Sequence, residues 1–166
     1  GNDIPNDQHC NGVWFRLRTR IQVDNWSEDQ SFQDRVNERA RWRSTVHLMG
    51  HGYWLWIIPL SGGETSIGVV ADERVHPYRS LASWTKIRAW LKAHEPQLSE
   101  KVEAAADQKL DFAATADFTL NCTSVTGGDD RWGMTGDAGL FTDPLYSPGT
   151  DFICIVNTMQ TDLITR

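Results

Sequence analysis

Two tryptophans stand two residues apart in the run Gly52-Tyr53-Trp54-Leu55-Trp56-Ile57-Ile58-Pro59-Leu60. In an extended strand alternate residues point to one face, so the two indoles sit side by side, roughly 7 Å apart along the chain. Such a pair can form a wall for a flat aromatic ligand, or can simply fill a core, because each large ring buries roughly 150–250 Å². A second run, Gly136-Asp137-Ala138-Gly139-Leu140-Phe141-Thr142-Asp143-Pro144-Leu145-Tyr146-Ser147-Pro148-Gly149, combines glycines, prolines and two carboxylates. Glycine-punctuated turns let backbone approach a ligand closely, and a helix starting near Gly149 would offer free N–H groups and the positive end of its dipole to an anion. The same residues would also build an ordinary strand-to-helix turn with a capping aspartate.

Other chemistry-bearing residues form weaker constellations. His47 and His51 have the four-residue spacing of two zinc ligands on a helix, but Leu48-Met49-Gly50 and the strand pattern that follows argue against a helix, so no metal is expected. Cys10, Cys122 and Cys154 are odd in number and far apart, which provides neither a disulfide framework nor a metal knuckle and fits a reducing cytoplasm. His76 reads as a turn residue and His94 as a helix-end residue. No catalytic residue can be named from the sequence.

The elements that must position these residues follow from periodicity. Val13 to Val23 alternates strictly, with Val13, Phe15, Leu17, Thr19, Ile21 and Val23 on one side, the signature of a strand with one buried face. Asp24 to Arg41 reads as a loop or solvent-facing helix. Strands are expected over about Trp42 to Met49, Tyr53 to Leu60 and Thr65 to Ala71, the last two joined as a hairpin through Ser61-Gly62-Gly63-Glu64. A helix over about Ser80 to His94 carries Leu81, Trp84, Ile87 and Leu91 on one stripe, and a second starts at Pro96. Leu110 to Cys122 and Arg131 to Thr135 read as strands. The segment from Gly149 to Ile164 reads as a helix that stops at Arg166 without a C-cap, as an excised boundary would.

Composition narrows the function classes. A chain of 166 residues with 40% hydrophobic residues and eight tryptophans can bury one good core. A formal charge of −6 repels a phosphate backbone, so nucleic-acid binding is disfavoured. The longest apolar stretch, about Tyr53 to Leu60, is far short of the roughly 20 residues that cross a bilayer, so no membrane partner is expected.

Trp54-x-Trp56-x-Ile58-Pro59 resembles the WxWxIP signature of flavin-dependent halogenases, and Gly136-Asp137 with Pro144-x-x-Ser147-x-Gly149 resembles the GD segment and following loop of the hydroxylase-type FAD fold. The resemblance runs from about Val13 to the end of the chain. It implies that Asp137 bonds the ribityl chain of FAD, that Gly136, Pro144, Ser147, Pro148 and Gly149 pass beside the cofactor, and that Trp54, Trp56, Pro59 and Tyr146 wall the active site. The implied reaction uses reduced FAD, oxygen and halide to halogenate an electron-rich aromatic small molecule, with a flavin reductase as partner.

This sequence departs from the family in four respects. Tyr146 stands where tryptophan halogenases carry a glutamate, and Pro148 where they carry a threonine, which brings the pattern closer to phenol or pyrrole halogenases with carrier-protein-tethered substrates. No GxGxxG turn is present, and none of Lys86, Lys92, Lys101 and Lys109 matches the family's active-site lysine. The expected fold is therefore α+β, an antiparallel sheet layer with covering helices, part of the hydroxylase-type FAD-binding fold without its amino-terminal dinucleotide module. Residues 1–166 form a single carboxyl-terminal fragment, with 13–120 as the substrate-side sheet and helices and 131–166 as the flavin-contacting strand-turn-helix. A monooxygenase without halide use and a catalytically incomplete structural fragment are the alternatives.

Overall fold

The computed structural model describes residues 7–36, 38, 40–119 and 121–166. The polar opening 1–6 and Leu120, inside the strand expected over Leu110 to Cys122, lie outside the described residues. The chain divides into two compact units, one formed by Asn11–Ala116 and the other by Gly1–Cys10 with Asp117–Arg166.

The larger unit is built on a five-stranded sheet. Its strands are β1 (Cys10–Leu17), β2 (Val46–Gly50), β3 (Tyr53–Pro59), β4 (Thr65–Asp72) and β5 (Lys109–Thr115), in the order β2-β3-β4-β1-β5. β2, β3 and β4 form an antiparallel meander, and β5 pairs antiparallel with β1. The β3–β4 hairpin closes with Leu60 N–H donating to Glu64 O at 2.9 Å, and Gly63 adopts a φ of +93° that side chains resist. Between β2 and β3, Gly52 has a φ of +75°.

One face of this sheet is the core. Val13, Phe15 and Leu17 of β1, Leu55 and Ile57 of β3, and Ile67, Val69 and Ala71 of β4 are buried there. They pack against two helices, α2 (Trp84–His94) and α3 (Pro96–Ala104), through Ile87, Trp90, Leu91, Leu98 and Val102. Ser83 caps α2 by accepting from Lys86 N–H, and Pro96 opens α3 at a position where its missing N–H costs nothing.

The structure corrects several boundaries. β1 ends at Leu17 rather than Val23, where the pairing with β5 shifts register between Arg16 and Leu17. Beyond it the Thr65 hydroxyl donates to Thr19 O at 2.7 Å and accepts from Ile21 N–H at 3.2 Å, so a side chain replaces the ladder while Ile21 and Val23 stay buried. Trp42 lies in a 3-10 turn, Arg41–Arg43, ahead of β2. The stretch before α2 is a separate 3-10 turn, Tyr78–Ser80, because Ser83 is extended and starts the helix. The segment from Asp24 to Arg41 holds a five-residue helix, α1 (Gln30–Asp34), and a nearly buried ion pair, Asp24 to Arg41 at 3.0 Å.

The smaller unit carries a two-stranded ribbon, β6 (Thr126–Gly127) with β7 (Trp132–Gly133), and a long helix, α4 (Gly149–Thr165). The expected strand from Arg131 to Thr135 is thus only two residues long, and that expected from Leu110 ends at Thr115. No residue of α4 is buried. Among the described residues no helix is long and apolar enough to cross a membrane, and no group of three or more potential ligands is placed to hold a metal ion.

Candidate functional site

The smaller unit gathers most of the residues expected to meet a cofactor. Gly136–Ala138 forms a 3-10 turn, and Gly136 has a φ of +61°; a Cβ there would press on Ile153 of α4 at 3.1 Å, so the turn lies tight against the helix. Asp137, Pro144, Ser147, Pro148 and Gly149 line a single cavity of about 260 Å³, with Phe141, Asp143 and the first turn of α4 completing it. Asp137 is exposed at this cavity, and no other described residue bonds its carboxylate. The carboxylate is therefore free to accept hydrogen bonds from hydroxyl groups.

The loop into α4 is held by local bonds. Leu145 N–H donates to Asp143 Oδ1 at 2.9 Å and Ser147 N–H to Pro144 O at 2.8 Å. Tyr146 and Ser147 both sit in the left-handed region, with φ of +60° and +57°, at a cost of roughly 1–3 kcal/mol each. The first intrahelical bond of α4 runs from Phe152 N–H to Pro148 O, and no side chain caps the helix. The amides of Gly149, Thr150 and Asp151 thus have no partner within the helix, and a Cβ at Gly149 would point into open space. These groups fit part of a flavin cofactor: a free acceptor for a polyhydroxy chain stands beside a row of donors for an electron-rich ring edge. Tyr146 does not line the cavity, and its side chain is 81% exposed.

The tryptophan pair lies in the larger unit, on the sheet face opposite the core. Cross-strand partners share a face, so Trp54 sits with Val70 and Met49, and Trp56 with Gly68 and His47. The two indole centroids are 5.7 Å apart and tilted by 45°. The Trp56 ring lies flat on Gly68, where any Cβ would collide with it, and its N–H donates to Ser66 Oγ at 3.2 Å. Pro59 corrects the expected wall: its odd position puts it on the core face, beside Ile21, Ile57 and Thr65, away from the indoles. Ser66 and Gly68, which hold Trp56, have no role that sequence reasoning assigns; a glycine inside a strand pattern is the signal that marks such a close approach.

Sequence reasoning also missed a ring cluster on the core face. Tyr53, His76, Trp90 and His94 meet with centroids 4.6–5.9 Å apart. His76, read as a turn residue, is buried and joined to Trp90 by a hydrogen bond of 3.1 Å. Burial, then the neighbouring His76, lowers the His94 imidazole below its usual range, and burial with the Glu95 bond pushes the Tyr53 phenol up to about 12.

An antiparallel sheet backed by helices, together with a glycine turn leading into a long helix, places the chain among folds of the flavin halogenase and hydroxylase type. No protein-family model matches it. It is 31% identical over 124 residues to flavin-dependent halogenase chlA of Dictyostelium discoideum, covering 72% of this chain and 20% of that protein. It is 33% identical over 104 residues to flavin-dependent halogenase armH5 of Armillaria mellea, covering 58% and 19%. It is 29% identical over 110 residues to the 1H-pyrrole-2-carbonyl-[peptidyl-carrier protein] brominase of Pseudoalteromonas luteoviolacea, covering 66% and 26%. Among solved structures, halogenase PltM superposes with a TM-score of 0.74 at 15% identity, over 95% of this chain and 32% of PltM; its complex with phloroglucinol and FAD gives 0.67 at 17%, over 86% and 28%. The chain is a relative of the flavin-dependent halogenases, and it spans about a fifth of the length of the first two curated relatives.

Proposed function

We propose that this chain is the carboxyl-terminal part of a flavin-dependent halogenase that holds the ribityl and ring end of FAD and halogenates an electron-rich aromatic small molecule. The observation that carries this reading is the convergence of Asp137, Pro144, Ser147, Pro148 and Gly149 on one cavity beside the uncapped start of α4. When bound, reduced FAD would activate oxygen by giving it two electrons, and the activated oxygen would then oxidise halide to an electrophilic halogen. This chain's residues position and polarise. Asp137 accepts hydrogen bonds from ribityl hydroxyls, and the amides of Gly149 and Thr150 face negative charge on the ring edge or a halide. Pro148 contributes no hydroxyl, so halide contacts there rest on backbone N–H groups.

Trp54 and Trp56 serve as an aromatic wall in the whole enzyme, with Trp56 locked by Ser66 and Gly68. Tyr146 stands at an exposed bend, where it meets substrate. Phloroglucinol in PltM and the carrier-bound pyrrole of the brominase both support a small electron-rich ring as substrate, the latter tethered to a carrier protein. A flavin reductase supplies the reduced cofactor, and three cysteines far apart in sequence suit a cytoplasmic setting.

Titrating FAD against the chain while following flavin fluorescence tests the reading. Saturable quenching is expected, weakened about tenfold, or about 1.4 kcal/mol, by Asp137→Ala. Absence of quenching overturns the assignment of a flavin site to these residues. In the whole enzyme of which this chain is a part, with reductase, NADH and phloroglucinol added, the product should require bromide; a hydroxylated product formed equally without bromide would make the chain part of a monooxygenase.

A further inference from the structure

We propose that the cavity beside Tyr53, His76, Trp90 and His94 binds a small aromatic acid, a planar ring carrying one carboxylate. The cavity holds about 540 Å³, within the range of small-molecule sites, and is lined by these four residues with His51, Val75 and a proline-serine shoulder. It lies on the face of the sheet opposite Trp54 and Trp56, because Tyr53 has the other parity in β3.

The inner rings form a finished frame. Trp90 Nε1–H donates to His76 Nδ1 at 3.1 Å, which leaves His76 Nε2–H to donate to His51 O at 2.9 Å and assigns His76 a single neutral tautomer. Tyr53 donates its hydroxyl proton to Glu95 Oε1 at 2.8 Å. With their polar atoms committed, Trp90, His76 and Tyr53 present ring edges and faces.

The uncommitted groups are imidazoles. His94 lies against Trp90 with centroids 4.6 Å apart and edge-on to His76 at 4.9 Å, and neither of its nitrogens bonds another described residue. The exposed His51 ring is likewise without a hydrogen bond among the described residues, its backbone oxygen alone being engaged. No carboxylate and no lysine or arginine lines the cavity. Aromatic walls with imidazole donors at the rim suit a flat ring whose carboxylate meets one imidazolium. A cationic guest is disfavoured, since every ring pair but Trp90–His94 meets edge-to-face instead of turning faces to one centre, and protonated histidines would repel it.

Binding is coupled to a proton. The titratable groups against His94 are Tyr53 from β3, His76 from the turn after β4, and Glu95 at its own helix end. A bound carboxylate favours the charged imidazole, so affinity rises as pH falls from 8 to 6, until the ligand itself is protonated near a pH of about 4.

The test is titration of the full chain with benzoate and indole-3-carboxylate at pH 6 and pH 8, followed by the tryptophan indole N–H and histidine ring resonances in NMR spectra, with indole, acetate and tetramethylammonium as comparisons. Saturable binding of the aromatic acids is expected, at least fivefold tighter at pH 6. His94→Ala should weaken it about tenfold, and His94→Gln should retain part of it without the pH dependence; His94 is exposed at the end of α2, so thermal unfolding should change little in either variant. The proposal is overturned by lack of saturation at pH 6, by indole or tetramethylammonium binding as well as benzoate, or by an unaffected His94→Ala variant. None of these readouts involves flavin, so the outcome stands apart from that of the FAD titration.

Discussion

The Tyr53 hydroxyl shows how one residue's surroundings turn into a measurable pH dependence. Burial and its bond to Glu95 raise the phenol from 10.0 to about 12, so the folded state keeps the proton longer than the unfolded chain does. The associated stabilisation is complete below pH 10 and is lost as pH rises from 10 toward 12. Tyr53→Phe should therefore cost about 1 kcal/mol in urea denaturation at pH 8, and the gap between variant and parent should narrow at pH 11.5. An unchanged gap would mean that the hydroxyl is not bonded as the structure has it. At Gly68 the decisive quantity is space. An added methyl collides with the Trp56 ring, so Gly68→Ala should destabilise by about 2 kcal/mol and shift the indole, which circular dichroism of the Trp54–Trp56 pair near their 5.7 Å separation would register. Retention of the parent spectrum would place the indole elsewhere.

At the scale of elements, strands with clean alternation and helices with a marked stripe were legible, because burial on one face imposes the period on the sequence. β3 and β4 fall within a residue of the ranges expected for them, and α3 starts at the expected proline. The failures come where a side chain takes over from backbone. Alternation continues from Leu17 to Val23, yet the Thr65 hydroxyl ends the ladder, which no local pattern could disclose. Likewise the leucine stripe suggested a helix from Ser80, whereas Leu81 is buried from a turn and Ser83 begins α2. Ser83→Ala should accordingly cost about 1 kcal/mol, read by thermal or urea unfolding, while Ser80→Ala, outside the helix, should cost less than that. Equal losses would contradict this boundary.

For the whole molecule, the hydrophobic cluster from Val13 to Ala105 lies entirely within Asn11–Ala116, and this unit also contains β1 from Asn11 and all of β5. A chain of residues 11–116 should consequently unfold as one cooperative transition with protected amides in β1, β3 and β4, checked by urea titration and hydrogen exchange. A gradual, non-cooperative melt would show that the core depends on the rest of the chain. α4 has a different balance: Ile155, Met159 and Leu163 are each more than half exposed, so these apolar side chains do not bury one another.

Periodicity and motif spacing by themselves determined the α+β class, the hairpin, the Trp54–Trp56 pairing and the turn around Asp137, because each rests on residues close together in sequence. Tertiary structure alone decided that Pro59 turns to the core, that Gly68 and Ser66 hold Trp56, and that Tyr53, His76, Trp90 and His94 meet around one cavity. Those contacts join strands, a turn and a helix far apart along the chain, and register between such segments is set by packing of the whole core, which no local window contains.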